Sequence, residues 1–406
     1  MATTVEALSP RPENVSQDQV MDVDIYHLPG AEEDFYGAWA RIQREAPADV
    51  IWTPHNGGHW IALRGRQIQQ VLSDYKHFSN RRVMVPAQRA DDLQVLPTVL
   101  DPPIHGKFRS LINPPLSAKS VKEMEAFIRK TAIDLIERVR LQGHCDFVTD
   151  YADQLPISVF MNMVNLPLSD APRLKKIGNA VSRDDPDMNM VQAMEALQAY
   201  LAPFIEERRA VPGTDALSGV INGKVDGERI SFDQAMDMSV QLLVAGLDTV
   251  VNFLSFSMLY LGSNPGQLAE LAANPDLVPA ATDELLRRHG LISPTREVVE
   301  DYEFGGAMLA SGDLIVAPTF LHAFDDREYD EPLAVDFHRV VHDHSTFGAG
   351  PHRCAGSMLA RTEARITFEE WMKRIPAFTV DRSKPIRMNG GIAGTVFSVP
   401  LLWDVE

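Results

Sequence analysis

From Ser231 to about Gly262 the chain runs apolar on nearly every face of a helical wheel. Roughly 30 residues at 1.5 Å each make a helix long enough to cross a whole domain. A helix that is apolar all round has to be buried, so the rest of the chain must supply a thick, mainly helical shell. Ser231 with Gln234 three residues on is a capping-box start, and Asn264-Pro265 is a stop. Length alone also admits a membrane span, but Asp248 and Asn252 sit in its middle and no second span accompanies it. The middle reads Ala245-Gly246-Leu247-Asp248-Thr249. Glycine costs helix stability, which suggests a close neighbour to the backbone at Gly246. An acid beside a hydroxyl in an apolar helix is expensive unless satisfied. Two readings stay open: a local kink with Thr249 bonded to a carbonyl one turn back, or a site that handles protons.

The second constraint is Phe347-Gly348-Ala349-Gly350-Pro351-His352-Arg353-Cys354-Ala355-Gly356, with a helical pattern beginning at Ser357. A cysteine at a helix mouth feels the positive end of the dipole, which favours thiolate. The glycines permit φ > 0 and close backbone approach to a flat object. Such a thiolate is a nucleophile or a metal ligand. A zinc set of His342, His344, His352 and Cys354 lacks a second nearby cysteine and a usual zinc spacing. A buried cysteine that merely ends a loop is the plain alternative.

The net charge of −18 argues against nucleic acid or an anionic membrane surface as partner. Two cysteines, Cys145 and Cys354, fit a reducing cytoplasm; Cys145 is read as structural. Residues 1–22 are polar, carry Pro10 and Pro12 and lack an apolar core, so they are expected as a flexible leader without a membrane anchor. Residues 23–406 are expected as a single catalytic domain.

Four more blocks stand out. Val50-Ile51-Trp52 and His59-Trp60-Ile61-Ala62-Leu63 flank Asn56-Gly57-Gly58, a hairpin signal. Asp101-Pro102-Pro103 is a helix start, and it places His105 and Arg109 one turn apart on one face. That face is either solvated or holds an anion. Glu284 and Arg287 pair at i and i+3. The chain closes with alternating, glycine-punctuated β segments from Phe378 to Trp403.

Taken together these blocks resemble the cytochrome P450 family, in family order from about residue 50 to 403. The runs Gly246-Leu247-Asp248-Thr249-Val250-Val251-Asn252-Phe253 and Leu401-Leu402-Trp403-Asp404 are similar to the soluble bacterial camphor-hydroxylase branch. The resemblance implies a mainly α fold with a smaller β-rich region and a haem b between the long helix and the cysteine loop. It makes Cys354 the thiolate ligand of the iron, and Asp248 and Thr249 the proton-handling pair. Phe347, Gly246 and His352 become haem neighbours. His105, Arg109 and Arg296 become propionate contacts. Glu284, Arg287 and Arg339 become a structural trio behind the cysteine loop.

The implied activity is mono-oxygenation of an unactivated C–H bond, with O2 and two electrons from a two-iron two-sulfur ferredoxin and its NADH-dependent reductase. A peroxide-using relative would lack the acid–threonine pair, and a haem sensor would need no proton relay. Lys76 and Arg109 match basic donor-facing positions, while Gly106 and Val341 stand where the camphor enzyme has basic residues. This implies an acidic ferredoxin distinct from the camphor one. The same comparison places Leu93 where the camphor enzyme uses a tyrosine hydroxyl. Met84, Val95, Thr98, Val244, Ile292, Ile392 and Ala393 complete a mostly apolar wall that Gln241 interrupts. The expected substrate is a small hydrophobic molecule, terpenoid or norisoprenoid in shape, and not camphor. Arg81 stands where the relative's potassium loop has an acid.

Overall fold

The structure is a computed structural model and describes residues 8–87, 95–182, 187–341 and 343–405. Its helices, in chain order, are α1 (Phe35–Glu45), α2 (Gly65–Ser73), α3 (Ile104–Ile112), α4 (Ala118–Arg140), α5 (Leu155–Met163), α6 (Ala171–Ser182), α7 (Met190–Ala210), α8 (Ala216–Ile221), α9 (Phe232–Leu247), α10 (Thr249–Ser263), α11 (Pro265–Ala273), α12 (Val278–Arg288), α13 (Thr319–Ala323) and α14 (Ser357–Arg374). Its strands begin with β1 (Val50–Thr53), β2 (His59–Ala62), β3 (Phe78–Ser79), β4 (His144–Asp146), β5 (Lys224–Val225) and β6 (Glu228–Arg229). They continue with β7 (Thr295–Val298), β8 (Tyr302–Phe304), β9 (Ala307–Leu309), β10 (Leu314–Val316), β11 (Thr379–Val380), β12 (Met388–Asn389), β13 (Thr395–Val396) and β14 (Pro400–Leu402).

The expected hairpin forms: β1 and β2 pair antiparallel with Trp52 opposite Trp60. It enters a five-stranded sheet in the order β1-β2-β10-β7-β3, whose inner residues join one large core. A second core gathers α3, α5, α7 and the first half of the long helix, from Phe108 through Leu201 to Leu243. The mainly α fold with a smaller β region is therefore as the sequence indicates.

Two expectations need correction. The stretch from Leu8 to Asp22 is not a loose leader over its described part. Val15 is 1% exposed, Val20 bridges Trp52, and Ser9 N–H donates to the Pro54 carbonyl at 2.9 Å. Isolated valines in a polar stretch suffice because the edge strand β1 offers backbone partners. The long helix is also not continuous. Its capping box forms, with Ser231 and Gln234 bonded reciprocally. At Asp248 the backbone opens to φ −118, ψ −28, and α10 begins at Thr249. Among the described residues this is the one stretch long and apolar enough to cross a membrane, and most of it is buried inside the protein.

The trio behind the cysteine loop is assembled as a buried knot. Arg287 and Glu284 side chains are fully buried, with Nε–Oε2 at 2.7 Å and Nη2–Oε1 at 2.9 Å. The remaining Arg287 donors reach the carbonyls of Ala323, Pro332 and Ala334, each at 2.8 Å. Glu284 Oε1 also accepts from Asp336 N–H at 3.0 Å and from Arg339 Nε at 3.2 Å. One buried carboxylate thus gathers α12, the segment after α13 and the 330s loop. Thr346 then donates to the Leu286 carbonyl at 2.8 Å, which ties α12 to the start of the cysteine loop.

Candidate functional site

The loop around Cys354 is held by its own backbone. Cys354 N–H donates to the Phe347 carbonyl at 2.8 Å, and Gly348 N–H to the Ser345 carbonyl at 2.7 Å. Gly348 and Gly350 both have positive φ, and a Cβ on Gly350 would lie 2.6 Å from Ser73 Cα of α2. The glycines are thus required by the turn and by the helix beneath it. The Phe347 ring lies under the Arg361 guanidinium at 5.1 Å.

Burial pushes the Cys354 thiol up, while backbone N–H groups of Gly356 and Ser357 and the charges of Arg109 and Arg353 favour thiolate. The cysteine is nevertheless accessible. Ala245, near the C-terminal end of α9 and just after the buried Leu242 and Leu243, is accessible too. A residue there can be reached only if space adjoins it. These two accessible faces are the ones the resemblance assigns to opposite sides of a haem. Cys145, by contrast, is buried in β4, and burial there pushes its thiol far up. Neither cysteine is in a disulfide.

Whether a haem fits can be tested on the protein's own unsatisfied groups. The rings of His105 and His352 lie 4.0 Å apart. Nε2 of each is buried and has no hydrogen-bond partner. Desolvation and the neighbouring charges of Arg296, His105 and Arg109 push His352 down to about 3, and burial with Arg109 lowers His105. Arg296 is 4% exposed, and burial lowers it to about 10, with Asp101 the acid that opposes the shift. Two orphaned imidazole nitrogens among two arginines call for an anion. A pair of propionates supplies one, so the residues present fit a haem. Arg109 is also anchored, through Nη2 to the Arg353 carbonyl and Nε to Asn113 Oδ1 at 2.9 Å.

The structure reassigns Asp101. It does not cap α3, whose N-cap is Pro103 without a side-chain bond. Its carboxylate accepts from Ser79 Oγ at 2.5 Å and Asn80 N–H at 3.0 Å, fastening the loop before α3 to β3. The zinc alternative finds no support among the described residues: they contain no cluster of three metal-ligating side chains. His342 lies outside them.

At the helix break, Thr249 Oγ1 donates to the Ala245 carbonyl at 3.2 Å, the back-bond that a kinked helix implies. Asp248 is 8% exposed. The residue that ties the break to the sheet is Asn252, fully buried. Its Nδ2 donates to the Asp248 carbonyl at 2.9 Å, and its Oδ1 accepts from Val396 N–H of β13 at 3.0 Å. In the sequence Asn252 enters as an obstacle to a membrane span and as part of a run similar to the camphor-hydroxylase branch, with no structural role of its own. Its spacing of four from Asp248 was the available signal.

The proposed substrate wall is brought together in part. Ile292 bridges Ala393, Ser293 N–H donates to the Ile392 carbonyl at 2.7 Å, and Gly394 N–H to the Leu291 carbonyl at 2.8 Å. Thr295 N–H reaches the Val83 carbonyl at 3.4 Å, which carries Met84 to the same region. Val95 is buried in the helical core against which Val244 packs. Thr98 receives Asn80 Nδ2 on its carbonyl. Gln241 is partly accessible, and among the described residues its side chain makes no hydrogen bond. Leu93 lies outside the described residues. Arg81 pairs with the buried Glu297 carboxylate, with Nε–Oε2 at 3.1 Å.

On the outer face of the cysteine loop, Lys76 and Arg353 are exposed, beside the exposed apolar Ile104 and Met358. Lys107 is engaged with Asp226 at 2.7 Å. Arg353 was passed over in the sequence although it adjoins the cysteine.

Comparison with known proteins agrees with this geometry. The family model described as Cytochrome P450 matches residues 184–391. A probable cytochrome P450 127A1 of Sinorhizobium fredii is 30% identical, covering 97% of each chain. Cytochrome P450(MEG) of Priestia megaterium is 31% identical, covering 90% of this chain and 94% of the relative. Among solved structures, that of CYP101J2 is 40% identical with a TM-score of 0.92, covering 98% of this chain and 100% of the neighbour. That of CYP101C1 is 35% identical with a TM-score of 0.91, covering 97% and 100%.

Proposed function

Because the chain belongs to the cytochrome P450 family, and is thus a haem-thiolate monooxygenase, we propose that it hydroxylates a compact terpenoid or norisoprenoid-like substrate for which camphor is a poor substitute. The observation that carries this reading is the wall itself. Ile292, Ile392 and Ala393 are laced together by backbone bonds, and Gln241 supplies the one uncommitted amide on α9 near the break.

Bound haem supplies oxygen activation and C–H oxidation, chemistry that belongs to the cofactor. The chain's residues supply the rest. Cys354 would hold the iron, and His105, Arg109, Arg296 and His352 would receive the propionates. Asp248 and Thr249 would hold and pass protons at the helix break, a step that Asn252 keeps in register. The apolar wall orients the substrate by shape and excludes water. Gln241 offers a donor and an acceptor to one oxygen-bearing group. A site built to hydrogen-bond one group discriminates strongly against ligands that lack it.

Electrons would arrive singly from an acidic two-iron two-sulfur ferredoxin reduced by an NADH-dependent reductase, docking where Lys76 and Arg353 surround an apolar patch. The setting would be the bacterial cytoplasm. The test of the pocket is haem spin-state titration with camphor, cineole and ionone-like ligands, on wild type and on Gln241→Leu. The expected result is tight binding of an oxygenated terpenoid other than camphor, weakened about tenfold by loss of the amide hydrogen bond. Tight camphor binding to wild type, or an unchanged ligand order in Gln241→Leu, would overturn the assignment.

A further inference from the structure

The substrate wall is built from three segments. Thr295 N–H reaches the Val83 carbonyl at 3.4 Å, and the N–H groups of Ser293 and Gly394 reach the carbonyls of Ile392 and Leu291 at 2.7 and 2.8 Å. The segment around the start of β7 thus holds residues 83–86 on one side and 390–394 on the other. Among the described residues no backbone hydrogen bond joins those two outer segments directly. A side chain from the stretch before α1 does reach both. Tyr26 Oη donates to the Val85 carbonyl at 2.6 Å. The same ring packs on Gly391, where a Cβ would lie 2.8 Å from it. Gly391 has φ +114, and a Cβ on Gly390 would lie 3.0 Å from the Ile25 carbonyl oxygen. The two glycines let the N-terminal stretch lie this close to the wall.

Tyr26 is itself firmly placed. Its N–H donates to Asp24 Oδ1 at 3.0 Å, and Asn56 Nδ2, in the turn between β1 and β2, donates to the same oxygen at 3.0 Å. Thr53 Oγ1 donates to the Val23 carbonyl at 2.8 Å, and Val23 and Ile25 are buried on either side of Asp24. Further along, Met388 N–H donates to the Glu32 carbonyl at 3.1 Å, which fastens the chain before α1 to β12. The tyrosine is therefore anchored to the hairpin on one side while it spans the wall on the other.

We infer that Tyr26 is a positioning residue for substrate specificity: it closes the ring of three segments and sets the gap between the Met84 side and the Ile392 side of the pocket. This rests on the substrate wall proposed above. Without the hydroxyl the Val85 carbonyl loses its donor, and only the segment around β7 sets the spacing. A gap fixed in advance favours a compact ligand that touches both sides, because less ordering is left to binding. Tyr26 acts on the ligand through the wall.

The test is Tyr26→Phe in the haem-loaded protein, which keeps the ring on Gly391 and removes only the hydroxyl. The probes are imidazole, too small to span the gap, then phenylimidazole and the bulkier naphthylimidazole, each titrated by the shift in haem absorption. Phenylimidazole should bind about two- to tenfold more weakly to the variant, the share that one hydrogen bond carries. Imidazole should bind equally, naphthylimidazole should bind no more weakly, and the melting temperature should fall by no more than about 2 °C. Ile392→Ala, a change in the wall itself, separates two kinds of failure. If it alters the order of the probes and Tyr26→Phe does not, the wall stands and the role of Tyr26 is overturned. If neither variant alters the order, the wall is misassigned and the inference falls with it. An equal loss for all three probes, imidazole included, would mark a general loosening of the fold and would overturn it too.

Discussion

Asn252 offers the sharpest test of how the helix break is built. Its side chain is 0% exposed and makes two bonds, one to the Asp248 carbonyl at 2.9 Å and one from Val396 N–H at 3.0 Å. Asn252→Leu keeps the volume and removes both. The Asp248 carbonyl still accepts from Asn252 N–H at 3.0 Å, so its loss is modest, about 0.5–1.5 kcal/mol. Val396 N–H is left buried without its acceptor, at about 1–3 kcal/mol. The total is about 1.5–4.5 kcal/mol. For a chain of 406 residues, the specific unfolding entropy of about 2.1 cal/mol/K per residue makes this a fall of about 2–5 °C in melting temperature. That fall alone would describe any buried polar residue. The distinguishing readout is coupling: the variant should divert reducing equivalents to hydrogen peroxide, because Asp248 and the β13 turn beside Ala393 are no longer tied. The assay is the ratio of product to NADH consumed, measured beside the melting curve. A variant that loses the expected stability yet keeps wild-type coupling would refute the role given to Asn252.

Cys354→Ser should abolish the thiolate-type absorption of the reduced, CO-bound protein, whereas Cys145→Ser should leave it unchanged; persistence in the first variant would mean another residue holds the iron. Thr249→Ala should go on consuming NADH and O2 with most of the flux emerging as peroxide, and Asp248→Asn should slow turnover by about 10²–10⁴-fold, both read by product and peroxide quantification. Reduction by an acidic ferredoxin should slow as ionic strength rises, because Lys76 and Arg353 act by steering; equal rates in stopped-flow at low and high salt would count against docking there. Burial lifts the Glu363 carboxyl from 4.5 to about 8. Over that window the folded protein keeps a proton that the unfolded chain releases, so the group costs stability increasingly as pH rises from 4.5 through 8. Glu363→Gln should therefore gain melting temperature relative to wild type between pH 5 and pH 8, and a difference independent of pH would be inconsistent with a buried neutral acid.

What the sequence disclosed and what it hid follow from the range of the interactions involved. The capping box at Ser231, the hairpin at Asn56–Gly58 and the Glu284–Arg287 pair each depend on residues within about four positions of one another, so pattern alone exposes them. The cysteine loop is legible for the same reason: its glycines are set by turn geometry, with α2 adding the close contact at Gly350. The break at Asp248 is different. A local pattern offered a kinked helix, and the break is tied to the sheet because Val396, 144 positions away from Asn252, donates its N–H to the Asn252 side chain. Asp101 misled in the same way, since a helix start predicts a cap and the carboxylate is instead claimed by Ser79 of β3 and Asn80 just after it. The valines of residues 8–22 gave no periodic signal because they pack singly against a strand edge. Long-range polar closure is where a one-dimensional pattern stops being informative, and here it governs both the tie between the helix break and β13 and the seat of the Asp101 carboxylate.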